Sequence, residues 1–238
     1  MTSEAATVPP LDLPPGFSLV TLQDDRDPFL HACGIGVAAG AGIFVLATGF
    51  ERLEFAVILE PGEALASARR GFFAGMTALA NAIALHCPPE KPIAFAWPHA
   101  IRIDGAVMGW GRLGWPEVCA ENAVPEWMVF AAVVNAAGTG ASDPGFTSLE
   151  AEGFETGSAR SIAESFARHL KLTFDLWEEQ GFERIAQSYI ERLDLKAEGE
   201  LLTIADNGDL LILGHEKGSA TKRLPLAPAL RALAWLKR

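Results

Sequence analysis

Apolar and polar positions change period several times along this chain, and each change marks an element. Residues 17–22, 43–47 and 55–59 are short runs rich in Val, Ile, Leu and Phe. The first two flank a stretch, 27–39, with few turn formers before Gly40-Ala41-Gly42. The pattern predicts strand, helix, strand and strand. Leu65, Ala68, Phe72, Met76, Leu79 and Ile83 then recur at steps of three and four, one face of a helix that Pro88-Pro89 stops. This helix carries the most apolar run of the chain, 71–87, interrupted by Asn81 and His86. It is shorter than the ~20 residues a bilayer needs, so it reads as a buried helix.

Residues 93–97 and 101–103 are strand runs, and 107–113 returns after Asp104-Gly105, a two-residue hairpin signal. The runs 93–97 and 107–113 are expected to be neighbours in one sheet. Residues 128–135 are continuously apolar until Asn135, which predicts a central strand, and 138–144 reads as a loop. Two amphipathic helices follow. Ile162, Phe166, Leu170, Phe174 and Trp177 form one stripe, Gly181 breaks it, and Phe182, Ile185, Tyr189 and Leu193 form the next. Asp206-Asn207-Gly208-Asp209 separates two short apolar strand runs, 201–205 and 210–213, as a hairpin would. Residues 228–238 read as a terminal helix with basic residues where the helix dipole favours them, and the Pro-rich residues 1–16 as an extended arm. These elements add up to an α+β fold. A mixed sheet packed with helices spans residues 1–198, and a small β-containing C-terminal domain spans 199–238.

Composition narrows the chemistry. The net charge of −11 over 238 residues repels a phosphate backbone, so nucleic acid is not an expected partner. Cys33, Cys87 and Cys119 are odd in number and have no CxxC spacing, which suggests neither disulfides nor a zinc site. With no basic and apolar leader at the start, a reducing, cytoplasmic setting is expected. No metal and no cofactor is expected. The run Gly34-Ile35-Gly36-Val37-Ala38-Ala39 fits a loose GxGxxA pattern, but no strand run precedes it, and helix packing is the better account. No Gly-x-Ser-x-Gly elbow, HExxH or P-loop is present.

The segment from Phe95-Ala96-Trp97-Pro98-His99-Ala100 through Asp104-Gly105 to Ala106-Val107-Met108-Gly109-Trp110 resembles the core of the biotin and lipoate protein ligase superfamily. In that family a strand carries Lys-Trp-Pro-Asn-Asp, and a second strand returns through a Lys and a Gly. Here Trp97-Pro98, the Asp-Gly turn and Gly109 stand in register. Ala96, His99, Ala100 and Ala106 replace the Lys, Asn, Asp and second Lys. Ala131-Ala132-Val133-Val134-Asn135 is similar to the family's Gly-x-Gly-x-Asn strand with both glycines changed to Ala, and Thr147-Ser148-Leu149 to its Thr-Ser-Leu segment.

The resemblance implies a ligand face bordered by Thr48, Trp97, His99, Gly109 and Asn135. It also implies what is missing. The Arg- and Gly-rich loop that folds over the acyl-adenylate has only residues 48–54 to occupy, and Arg52 is their one basic residue. Adenylation sets a carboxylate against the α-phosphate of ATP and needs cations to neutralise that charge. Three alanines supply none. The family's octanoyl-transferase branch uses a Cys after the strand at 128–135, and residues 136–144 hold none.

The expectation is therefore a ligase-like protein that does not adenylate biotin and has no assigned catalytic residue. It would bind a small acyl-type ligand or a carrier domain, with no nucleic acid or membrane partner. The alternatives are an active ligase or acyltransferase using Arg52, Arg69, Arg102 or Arg112 as clamps, and a scaffold acting through the helical half.

Overall fold

The computed structural model describes residues 11–23, 26–49, 51–138, 145–195, 200–214 and 221–231. Among the described residues, sixteen elements run in the order β1 (Ser18–Leu22), α1 (Pro28–Ala39), β2 (Ile43–Ala47), β3 (Arg52–Leu59), α2 (Leu65–Ala68), α3 (Gly71–His86), β4 (Ile93–Ala96), β5 (Ala100–Ile103), β6 (Ala106–Gly114), β7 (Met128–Asn135), α4 (Ser158–Gln180), α5 (Glu183–Ile190), β8 (Leu201–Ile204), β9 (Leu210–Leu213), β10 (Lys222–Leu224) and α6 (Leu226–Arg231). Seven strands form one mixed sheet ordered β1-β2-β3-β7-β6-β5-β4. Only β1 and β2 run parallel; every other pair is antiparallel.

Local chemistry accounts for most boundaries. Asp27 caps α1, its carboxylate accepting from the backbone N–H groups of Phe29 and Leu30, with Pro28 in the first turn. Asp104 and Gly105 both have positive φ, 48° and 85°, as a tight hairpin turn between β5 and β6 requires. Gly181 ends α4 at φ 82°.

Three sequence expectations need correction. The runs at 93–97 and 107–113 share a sheet but are not neighbours, because β5 pairs with both β4 and β6 and lies between them. The helix expected from Leu65 to Ile83 is two helices, broken at Arg69-Arg70, where Glu121 and Glu63 hold the two guanidinium groups. The stretch 201–205 is a strand only to Ile204. Within the expected loop 138–144 only Gly138 is described, and 232–238 of the expected terminal helix also fall outside the described residues, as does most of the expected N-terminal arm.

The two faces of the sheet are covered unequally. On the first, α3 lies against β6 and β7, with α4 and α5 beside it. Phe44, Phe55, Phe130 and Phe166 stack there, ring centroids 4.5–6.3 Å apart along the series. Ile204, Leu210, Ile212 and Leu226 from the C-terminal three-stranded sheet and α6 belong to the same buried cluster. On the second face, α1 covers only the β1-β2-β3-β7 side, over Leu22, Val45, Ala56, Ile58, Val129 and Ala131.

Close approach of α3 to the sheet depends on glycine. A methyl group at Gly75 of α3 would overlap the ring of Phe130, and one at Gly111 of β6 would overlap the Met76 sulfur. A methyl at Gly109 would overlap the Val133 carbonyl oxygen on β7. A backbone carbonyl in a central strand cannot move, a packed ring moves little, and a thioether end moves readily. The loss of stability on substitution by Ala should therefore rank Gly109 above Gly75 above Gly111. Gly75→Ala should cost about 1–3 kcal/mol. Urea unfolding of the three variants checks the order, and a Gly111→Ala cost equal to that of Gly109→Ala would contradict it.

Candidate functional site

Strand register places one residue from each strand in a single row across the whole second face. Leu22 pairs with Ala47, Ala47 with Glu54, Glu54 with Val133, Val133 with Trp110, Trp110 with Ala100 and Ala100 with Ala96. Directly paired residues project to the same side of a sheet. Leu22 is sealed under α1, and Ala100 is nearly buried. Ala47, Glu54, Val133, Trp110 and Ala96 remain partly exposed. The face that an antiparallel sheet turns to water ordinarily carries polar side chains. In this row, from Ala47 to Ala96, only Glu54 is polar. The ring of Phe146, from a segment running beside β6, stands 5.9 Å from that of Trp110 and continues the apolar floor.

The charged groups lie at one side of this floor. Glu54 has Arg52 at 3.8 Å, a half-exposed guanidinium. Burial pushes the Glu54 carboxyl above the usual range; Arg52 pulls against this and the charge of Asp27 adds to it. Asp27 in turn meets Arg112 at 3.4 Å, and the Arg112 guanidinium lies 3.7 Å over the Phe29 ring. This pair fastens the start of α1 to β6. Burial pushes the thiol of Cys33, on the same helix, up to about 11.

The five residues expected from sequence border the row without forming it. Thr48 follows Ala47, is exposed, and donates from both its backbone N–H and its hydroxyl to the Leu22 carbonyl, at 3.3 and 3.2 Å. His99 precedes Ala100; its carbonyl accepts from the Gly111 N–H at 2.9 Å, and burial lowers its imidazole pKa, which keeps it neutral at pH 7. Gly109 precedes Trp110 and turns its missing side chain towards β7. Asn135 is buried opposite Arg52, two residues beyond Val133; its side-chain amide donates to the Thr147 carbonyl at 3.0 Å and its own carbonyl accepts from Leu149 at 2.9 Å. It thereby pins the Thr147-Ser148-Leu149 segment.

Trp97 faces the other way. Its ring packs 5.9 Å from Phe73 and 6.2 Å from Tyr189, among the helices of the first face. Tyr189, the only tyrosine in the chain, is fully buried and donates its hydroxyl to the Pro98 carbonyl at 2.6 Å. That bond fixes the turn between β4 and β5, and with it the pairing of Ala96 and Ala100.

Glu54, Val133 and Trp110 were not anticipated. One signal was available, a lone Glu inside an otherwise apolar strand run, but the strand was expected to begin only at residue 55. The four arginines considered as clamps each face a carboxylate. Arg52 meets Glu54, Arg69 meets Glu121 with both terminal nitrogens, Arg102 meets Asp194 at 2.8 Å, and Arg112 meets Asp27. In the loose glycine pattern, a side chain at Gly36 would run into the Trp127 ring, so this glycine serves helix packing. Among the described residues no group of His, Cys, Asp and Glu could hold a metal, and no helix is long and apolar enough to cross a membrane.

The comparisons with known proteins agree with the fold. Residues 13–191 match the Biotin/lipoate A/B protein ligase family. Among solved structures, the chain is similar to a biotin protein ligase-like protein of unknown function from Silicibacter sp., with 24% identity, a TM-score of 0.77, and coverage of 91% of this chain and 97% of that one. It is also similar to a point mutant of the biotin protein ligase from Aquifex aeolicus in complex with biotin, with 12% identity, a TM-score of 0.64, and coverage of 89% and 97%. The biotin protein ligase from Leishmania major in complex with biotinyl-5-AMP aligns with 16% identity, a TM-score of 0.55, and coverage of 89% and 98%. A comparison with curated proteins finds no match.

Two substitutions test the site. The ionised form of Glu54 is disfavoured in the fold, so at pH 7 the charge costs stability that unfolding would recover. Glu54→Gln should therefore raise the melting temperature at pH 7. The gain should shrink as pH falls through the raised pKa, where Glu54 takes up a proton, and vanish near pH 3. Thermal scans across that range decide; a gain independent of pH would mean that charge is not its source. Tyr189→Phe removes a buried hydrogen bond and strands the Pro98 carbonyl, and should cost about 1–3 kcal/mol in urea unfolding.

Proposed function

The chain belongs to the Biotin/lipoate A/B protein ligase family, and within it we propose a member that does not adenylate biotin and instead binds a small acyl-type ligand or a carrier domain on the second face of its sheet. One observation carries this reading: the partly exposed Ala47, Val133, Trp110 and Ala96, in one row with the buried Ala100, are apolar where a solvent-facing sheet would be polar. Water gains nothing from such a floor, whereas an apolar chain laid on it is stabilised by roughly 25 cal/mol per Å² buried.

The same register supports the negative half of the reading. The positions that resemble the family's Lys and Asp are Ala96 and Ala100, which are directly paired in the row. β2 ends at Ala47 and β3 begins at Arg52, so residues 48–51 alone connect them where the resemblance implies an Arg- and Gly-rich lid. Losing a single electrostatic partner of a transition state costs ~10²–10³ in rate, and here several are replaced together. An active ligase with rearranged clamps is less well supported, because the arginines available for it already face carboxylates. We read residues 1–198 as the ligand-bearing unit and 199–238 as an appended module. A cytoplasmic setting suits the three unpaired thiols.

Biotin-dependent pyrophosphate exchange with ATP and Mg²⁺ should not rise above background; turnover of about 1 s⁻¹ or more would overturn the negative half of the proposal. In calorimetry, eight-carbon acyl compounds should give a saturable heat while ATP with Mg²⁺ gives none. Silence across octanamide, octanoate, lipoate and biotin would favour a scaffold role.

A further inference from the structure

The floor has a direction as well as an area. Its two ends, Ala96 with Ala100 on one side and Ala47 on the other, carry only methyl side chains. Between them stand an aromatic ring, Trp110, and a carboxylate, Glu54, separated by Val133 alone. Adjacent strands lie about 4.8 Å apart, so the two groups spring from backbones about 10 Å apart. A charged atom resting over Val133 is then within the ~6 Å reach of a cation–π contact with the indole, and can meet the carboxylate on its other side. Glu54 is the one formal charge in the row, and it is negative.

We propose that the ligand of this floor carries an ammonium group on its apolar chain, seated over Val133 between the Glu54 carboxylate and the Trp110 ring. The inference rests on the acyl-binding reading above and narrows its ligand class. Charge complementarity carries it. A carboxylate or phosphate head lying on the row would meet Glu54 across an apolar surface, where repulsion is screened less than in water. A neutral head would leave that carboxylate half-buried with only Arg52 beside it.

The groups around Glu54 are compatible with this occupant. Arg52 reaches it at 3.8 Å from a half-exposed position, so an ammonium entering from solvent displaces it at little cost. Asp27 adds a second negative charge nearby, already balanced by Arg112. Trp110 is partly exposed, and Phe146 supports its ring from the side. Burial raises the Glu54 pKa, and a cation seated against the carboxylate would favour its ionised form.

The test is calorimetry on the full chain at pH 7 with three probes of equal tail length, octylammonium, octanamide and octanoate. Octylammonium should bind at least about tenfold more tightly than octanoate, with octanamide between them. Glu54→Gln should abolish the preference while leaving octanamide binding in place. Trp110→Leu should keep the tail contact and weaken octylammonium selectively. Arg52→Gln, which removes the competing cation, should tighten octylammonium binding. Octanoate binding as well as octylammonium, or a preference that survives Glu54→Gln, would overturn the inference and leave the acyl-binding reading standing. Failure of all three probes would overturn both.

Discussion

The close packing of α3 between the sheet and the other helices is the constraint on which the remaining structure depends. Gly75 and Gly111 strip the contact of side chains, and Phe130 fills the space between them. With the helix this close, residues on every side of it are buried, and Phe73 meets Trp97, Phe182 and Tyr189. The first face of the sheet thereby becomes a continuous apolar core. Tyr189 is held in that core and reaches through to the Pro98 carbonyl, so the helical layer sets the turn from which Ala96 and Ala100 project on the opposite side.

Sealing one face determines what the other can do. α1 is anchored by Asp27 and Arg112 and shields the sheet only on the β1-β2-β3-β7 side. In the row from Ala47 to Ala96 every residue but Ala100 is left partly exposed, and only Glu54 is polar. A fold selected for stability alone would place polar side chains there. The strip is instead apolar, with Glu54 as its single carboxylate, and it is the feature on which the proposed binding role rests.

Electrostatics then separates this chain from what its family resemblance implies. Adenylation is a problem of negative charge, and it is solved by placing cations around the reacting phosphate. Here the row holds alanines at the corresponding positions and one carboxylate, and the nearby arginines are engaged by Glu54, Asp27, Glu121 and Asp194. The family's fold is retained, while the side chains at these positions differ in charge from those the resemblance implies.

The sequence alone determined the family and most of the elements. Periodicity found β7 to the residue, because a central strand buried on both faces leaves an unbroken apolar run. Asp104-Gly105 announced its turn, because few residues accept two successive positive φ angles. The loss of Lys and Asp at Ala96 and Ala100 was legible as substitution within a motif. What the sequence could not determine was pairing. It made 93–97 and 107–113 neighbours, since nothing in a run of three or four apolar residues shows that Ala100–Ile103 inserts between them. It named Trp97 and Gly109 among the residues bordering a ligand face; in the fold Trp97 packs against Phe73 and Tyr189 among the helices, and Gly109 stands one position before Trp110 on β6. Glu54 and Trp110, distant in sequence and each unremarked in its own strand, share one row only because β7 brings their registers together through Val133.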